Sequence, residues 1–258
     1  MPKFQATRDS AYMLVLGGWP NGPENAPQAT QDLYAGYGPA VWKLAGDCGS
    51  YYAIRGFPIA VPAGTWPDGQ VCVVSHWPTP HHATGFWYSP AYQNDVRPLR
   101  LGEGGPVFHV ALVRAAPPFG HRDGMWKDEQ GRARRDCADH VYVLTTGRVG
   151  DAAAYKKYLD ALFSSGVLEK TGGLEVINHT GPALAVLEGE WPSHTPAHLL
   201  RFPCLEAAQA CFADPIYAER LSPLLRAAGD LVVAVFKHDV QDEAPEATRP
   251  APLTMRGT

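Results

Sequence analysis

Short apolar runs edged by glycine or proline alternate along this chain with stretches of helical spacing, and the whole order occurs twice. Tyr12–Leu16 opens the first pass and Val141–Leu144 the second. Runs this short suit buried strands. A helix follows each. In the second pass Asp151 is placed to cap it, and Tyr155, Tyr158, Leu159, Leu162 and Phe163 form one apolar stripe that Gly166 ends. The first-pass counterpart, roughly Gln31 to Leu44, contains Gly and Pro and predicts a poorer helix. Ser50–Ile54 and Leu174–Asn178 read as second strands, which Ile59–Val61 and Ala183–Leu187 are expected to continue or extend. Third strands, Gln70–Trp77 and Ala197–Phe202, are each closed by a proline, which cannot donate to a strand ladder. Second helices near His81–Tyr88 and Leu205–Phe212 lead through proline-interrupted stretches to Arg100 and Arg226. Val107–Val113 and Leu231–Phe236 end each pass as strands.

Aromatic and proline landmarks make the repetition exact in spacing. Trp66-Pro67, Trp77-Pro78, Trp87, Ser89-Pro90 and Tyr92 recur 125 residues later as Trp191-Pro192, Phe202-Pro203, Phe212, Asp214-Pro215 and Tyr217. A register held without a gap points to a duplicated and fused domain; two copies are too few for a solenoid. The predicted class is α+β, with two ferredoxin-like βαββαβ repeats at 1–114 and 139–239, a Pro/Gly/charge-rich linker at 115–138, and a mobile tail at 240–258. The first repeat also carries an extra loop, Pro20–Ala29. Such a pair reads as an ancestral homodimer joined into one chain. The expectation is a monomer with pseudo-two-fold symmetry, a homodimer being the alternative.

Composition removes several function classes. With 258 residues, 45% hydrophobic, and a net charge of −4, the chain fits a soluble globule. Its basic run Arg132, Arg134, Arg135 is short and lies among acids, so no nucleic-acid partner is expected. No apolar segment approaches membrane-spanning length. Five cysteines without C-x-x-C spacing favour reduced thiols and a cytoplasmic location. Nucleotide-binding, α/β-hydrolase and zincin motifs are all missing from the sequence.

His76 shares a strand face with Cys72 and Val74, opposite Ser75 and Trp77. A histidine there reads either as a general base, since its ordinary pKa lies near neutrality, or as a satisfied structural residue. Arg201, its equivalent in the second copy, reads as an anion or carbonyl binder or as an ion-pair partner. Asp47 and Arg55 flank the second strand with Tyr51 and Tyr52 between them. Carboxylate, guanidinium and phenol around one pocket are a set that deprotonates a carbonyl compound and holds its enolate. Trp19, Tyr34, Trp42, Trp77, Trp87 and Tyr92 concentrate in the first copy, which is therefore the expected site of a flat, apolar substrate. The clusters His76, His81, His82 and His194, His198 lie near loops without a recognised metal signature, so no metal is expected.

The landmarks, with Gly172-Gly173 (Gly49 alone in the first copy) and Leu187-Glu188-Gly189-x-Trp191-Pro192, resemble the domain of unknown function 1330 family, within the dimeric α+β barrel superfamily. The resemblance implies two four-stranded sheets packed face to face as a pseudo-dimeric barrel, with helices outside and ligands between a sheet and its own helices. That family often has an acidic residue before the third strand's Phe-Pro, where this chain has His76 and Arg201. Superfamily members include cofactor-free cyclases, isomerases and monooxygenases, and haem-binding enzymes. The expected function is a cofactor-independent enzyme of specialised metabolism. It would use acid/base chemistry to cyclise, isomerise or cleave a small apolar carbonyl or polyketide-like compound. A cofactor-free or haem-dependent monooxygenase is the alternative, with His76, His109 or His179 as the haem ligand; a non-catalytic small-molecule binder is a third.

Overall fold

The computed structural model describes residues 10–19, 22–116 and 140–238. The expected tail and nearly all of the expected linker lie outside them. The first half contributes β1 (Ala11–Gly18), β2 (Tyr51–Gly56), β3 (Ala60–Ala63), β4 (Gln70–Trp77) and β5 (Val107–Arg114). The second contributes β6 (Val141–Val149), β7 (Leu174–His179), β8 (Ala185–Glu188), β9 (Ala197–Phe202) and β10 (Gly229–Lys237). They form two antiparallel five-stranded sheets, ordered β2-β4-β1-β5-β8 and β3-β10-β6-β9-β7.

Each sheet thus contains one strand from the other half. This corrects the expectation that Ile59–Val61 and Ala183–Leu187 extend the second strands, and with it the count of four strands per sheet. The chain leaves β2 at Gly56 (φ 140°) and Pro58 and crosses over. There β3 pairs with β10 through Ala63↔Val233 and Ala60↔Val235. In return β8 pairs with β5, through Val110↔Glu188 and Leu112↔Ala185. A short apolar run reports burial but carries no information about its partner, which is why the exchange is invisible to pattern reading.

The repeated landmarks have local physical roles. Gly49 and Gly172 take left-handed backbone (φ 82° and 72°), and a Cβ on either would stand 3.4 Å from the ring of Pro78 or Pro203. The proline that closes each third strand therefore packs on the turn that opens each second strand. Ser89 Oγ accepts from the Tyr92 amide at 3.1 Å, and Asp214 Oδ1 from the Ile216 amide at 2.9 Å. Each thereby holds the start of a π-helical turn (Ala91–Val96 and Ile216–Leu221) that buries a tyrosine, Tyr92 or Tyr217.

Helices cover the outer faces. α1 (Pro27–Asp32), a π-turn at Leu33–Tyr37, α2 (Gly38–Asp47) and α3 (Pro80–Trp87) pack on the first sheet. The first helix starts four residues earlier than expected because Pro27 and Pro39 both occupy first-turn positions, where a missing N–H is harmless. On the second sheet lie α4 (Ala152–Ser164), α5 (Val167–Thr171), α6 (Leu205–Ala213) and α7 (Ser222–Ala228). Asp151 caps α4 by accepting from the Ala153 and Ala154 amides at 2.8 and 3.0 Å.

The inner faces meet across one apolar layer, in which Leu14, Val74 and Val113 oppose Leu144, Leu199 and Phe236. The order is helix, sheet, sheet, helix. Matching irregularities in β2 and β7, at Ala53 and Val176, tie the halves together. The Ala116 amide donates to Val176 O at 3.0 Å, and His238 Nδ1 lies 3.2 Å from Ala53 O. The sheets bridge at these points without closing into a continuous barrel. Among the described residues no helix is long and apolar enough to cross a membrane.

Candidate active site

The structure distributes the expected site residues over three places. His76, Tyr51 and Arg201 come together on the inner layer. The His76 ring is buried, stacked on Tyr51 at 4.8 Å and edge-on to Tyr12 at 5.3 Å. Arg201 sits on β9 opposite Tyr142, as His76 sits on β4 opposite Tyr12, so the two halves present like positions to one another. Burial raises the pKa of the Tyr12 and Tyr51 phenols, and the Arg201 charge opposes it. His140 and His238 stack at 5.0 Å beside this group, and burial lowers His140 to about 3, with His238 and Arg201 adding to the effect.

Asp47 and Arg55 do not join them. Asp47 ends α2 and pairs with Lys43 at 3.1 Å. Arg55 lies exposed on the helix-facing side of β2, its guanidinium 3.2 Å above the Trp42 ring. The aromatic residues form the third group, in the layer between the first sheet and its helices. Trp19, Trp77, Trp87 and Tyr92 are buried core there and Trp42 packs against them, while Tyr34 is 59% exposed and stacks on Trp19. The sheet itself separates this layer from His76.

A fourth place pairs a buried imidazole with a carboxylate. On the helix-facing side of the second sheet, His198 of β9 is fully buried, and Glu175 of β7 brings Oε1 to 3.4 Å from its Nε2. Tyr155 of α4 lies within reach of the Glu175 charge. Phe163, also on α4, stands edge-to-face against the imidazole at 5.8 Å. Among the described residues, neither ring nitrogen of His198 has a hydrogen-bond partner, nor does Glu175 Oε1 or the Tyr155 hydroxyl. Each such atom costs about 1–3 kcal/mol when buried alone. Burial raises the Tyr155 pKa, with Tyr158 and Glu175 adding to it, so the phenol remains a neutral donor. A buried base beside a carboxylate, with a neutral hydroxyl in the same layer, can take a proton from a ligand and hold the anion that results.

The first half has no such set. The β4–β9 spacing of 125 residues puts Val73 at the place of His198, and strand pairing puts Tyr52 at the place of Glu175. Sequence reasoning noted His198 only as part of a histidine cluster and missed Glu175 and Tyr155. The readable signal was Val73 matched by His198: one duplicate satisfies a helix-facing position with an aliphatic side chain while the other places an imidazole there.

The histidine clusters separate. His81 and His82 sit exposed on the first turn of α3 and His194 in an exposed loop, away from His76 and His198. Among the described residues no three metal-ligating side chains converge. The three histidines expected as haem ligands lie apart, in different surroundings. His76 is enclosed by Tyr12 and Tyr51, and His109 Nδ1 accepts from the Glu190 amide at 2.9 Å. His179 faces the inter-sheet layer across from Ala197.

Solved structures align with most of this chain. An anthrone oxidase-like protein is 12% identical, with 92% of this chain aligned to 94% of that one at a TM-score of 0.53. Chlorite dismutase from Candidatus Nitrospira defluvii is 10% identical over 90% of this chain and 92% of that one, TM-score 0.42. A haem-binding protein from Thermus thermophilus is 11% identical over 91% and 95%, TM-score 0.38. At such identities the first of these shows the fold alone, that of the dimeric α+β barrels. No curated protein matches the chain. Residues 140–237 match the family model described as Domain of unknown function (DUF1330), and the first half repeats the βαβββαβ order of that stretch.

Proposed function

We propose that the second half houses an acid–base enzyme site that removes a proton from a small, largely apolar carbonyl or phenolic compound. One observation carries this reading: the His198 imidazole and the Glu175 carboxylate meet at 3.4 Å in a buried layer that also holds Tyr155, with polar atoms that no described residue satisfies. In the proposed step the Nε2 proton turns to Glu175, which leaves the Nδ1 lone pair as the base. The substrate C–H or O–H bond breaks, its proton passes to Nδ1, and the electron pair moves onto the substrate oxygen. The neutral Tyr155 hydroxyl donates to that oxygen. The resulting anion then rearranges, as in cyclisation or isomerisation.

A second reading follows the same proton transfer with a different fate. An electron-rich anion can itself reduce dioxygen, and the likeness to an anthrone oxidase-like protein favours testing this branch. In this reading His198 replaces His76 as the proposed base, while His76, Tyr51 and Arg201 are assigned to holding the halves together.

The test uses anthrone within a panel of small aromatic ketones and phenols. Solvent deuterium exchange at the acidic position is followed by NMR, and oxygen uptake is followed in parallel. The wild-type protein should catalyse exchange on at least one compound, and His198→Val should abolish it. Exchange at an undiminished rate in His198→Val rejects the site; oxygen uptake coupled to exchange selects the second reading.

A further inference from the structure

Phe163 is set apart from the stripe to which its spacing assigns it. Tyr155, Tyr158, Leu159 and Leu162 of α4 are buried, whereas Phe163 is 43% exposed. Its ring nevertheless stands at 81° to the imidazole of His198, which has no exposure of its own. A half-exposed aromatic thus lies against a fully buried base. It occupies the last turn of α4, which ends at Ser164, and Gly166 follows two residues later with left-handed backbone (φ 75°). Helix ends fray more readily than helix centres.

The first half shows the contrasting arrangement. Trp42, on the corresponding helix α2, lies edge-on to Tyr52 at 6.3 Å, with the Arg55 guanidinium against its ring. Indole, phenol and guanidinium pack together there over a strand that offers Val73 in place of a base.

Building on the acid–base reading of this site, we infer that Phe163 governs access to His198, and that a ligand reaches the imidazole by displacing this ring from it. The residue touches the base without doing chemistry. It determines which compounds arrive.

Carbethoxylation by diethylpyrocarbonate, mapped to individual histidines by mass spectrometry, tests this without any turnover. In the intact wild-type chain, His198 should label slowly and the exposed His81 and His82 quickly. Phe163→Ala should speed labelling of His198 by about fivefold or more, the scale set by losing one edge-to-face contact. Phe163→Leu keeps apolar bulk without the flat ring and should fall between. His81, His82 and buried His76 should not change in either variant. An unchanged His198 rate in both variants overturns the inference, as does a rise that His76 shares, or a wild-type His198 already as reactive as His81. If His198→Val loses exchange activity while Phe163 variants leave His198 labelling untouched, the gate fails and the acid–base site stands. The converse pattern rejects the chemistry and keeps the gate.

Discussion

A buried imidazole that remains neutral makes a folded chain sensitive to acid, and His140 is such a group. Its folded pKa is lowered to about 3 from an ordinary value of 6.5, by burial first, then by His238 and Arg201. Between those two values the unfolded chain binds a proton that the folded chain refuses. The His140 contribution is therefore complete above the unfolded value and is lost as pH falls through that window. Thermal unfolding at about pH 7.5 and about pH 5 should show a midpoint several degrees lower in acid. His140→Gln should lose measurably less over the same interval; an identical loss would assign the acid sensitivity elsewhere. Burial alone does not make a histidine chemical. His76 and His198 are both buried, but His76 is enclosed by two phenol rings, whereas His198 lies 3.4 Å from the Glu175 carboxylate.

The exchanged strands are held by side chains as well as by their ladders. Glu188, at the end of β8, receives Arg100 through both guanidinium NH groups, one at 2.9 Å, and Arg97 Nε at 3.3 Å. Arg100 is fully buried, against the rings of Tyr37 and Phe108. Removing one member of such a pair leaves a charge buried without compensation, at about 3 kcal/mol or more, whereas replacing both with apolar groups is often neutral. Glu188→Ala should thus lower stability in urea by about 2–3 kcal/mol, discounted because Glu188 retains some solvent contact. The double variant Arg100→Met with Glu188→Met should come within about 1 kcal/mol of wild type. A double variant weaker than the single one would reject this account. This latch explains why Leu187-Glu188-Gly189 stands out in the second half. Gly189 also allows close approach, since a Cβ there would meet Phe108 O at 2.8 Å, on left-handed backbone (φ 64°).

For the molecule as a whole, the duplication and nearly every strand were legible in the sequence, because apolar period and proline punctuation are local signals. What was not legible is what depends on partners. The destination of β3 and β8 is set by register with β10 and β5. The meeting of Glu175 with His198 is set by β7–β9 pairing, and the presence of Tyr155 by how α4 lies on the sheet. The aromatic concentration in the first half reads as a binding wall in the sequence, yet most of those rings fill the outer layer of that half. Neither half can be complete alone: residues 140–237 expressed by themselves would lack β3 and expose the face carrying Leu144, Leu199 and Phe236. In light scattering they should self-associate or aggregate, and a stable monomer with native-like cooperative unfolding would refute the interdependence of the halves. The strand exchange also has a consequence for synthesis. On the ribosome, β5 is translated well before β8, so the outer edge of the first sheet stays bare until much of the second half has emerged. Maturation of the N-terminal sheet must wait for translation downstream, and slowing elongation between the two would lengthen the interval in which that edge is open to other chains.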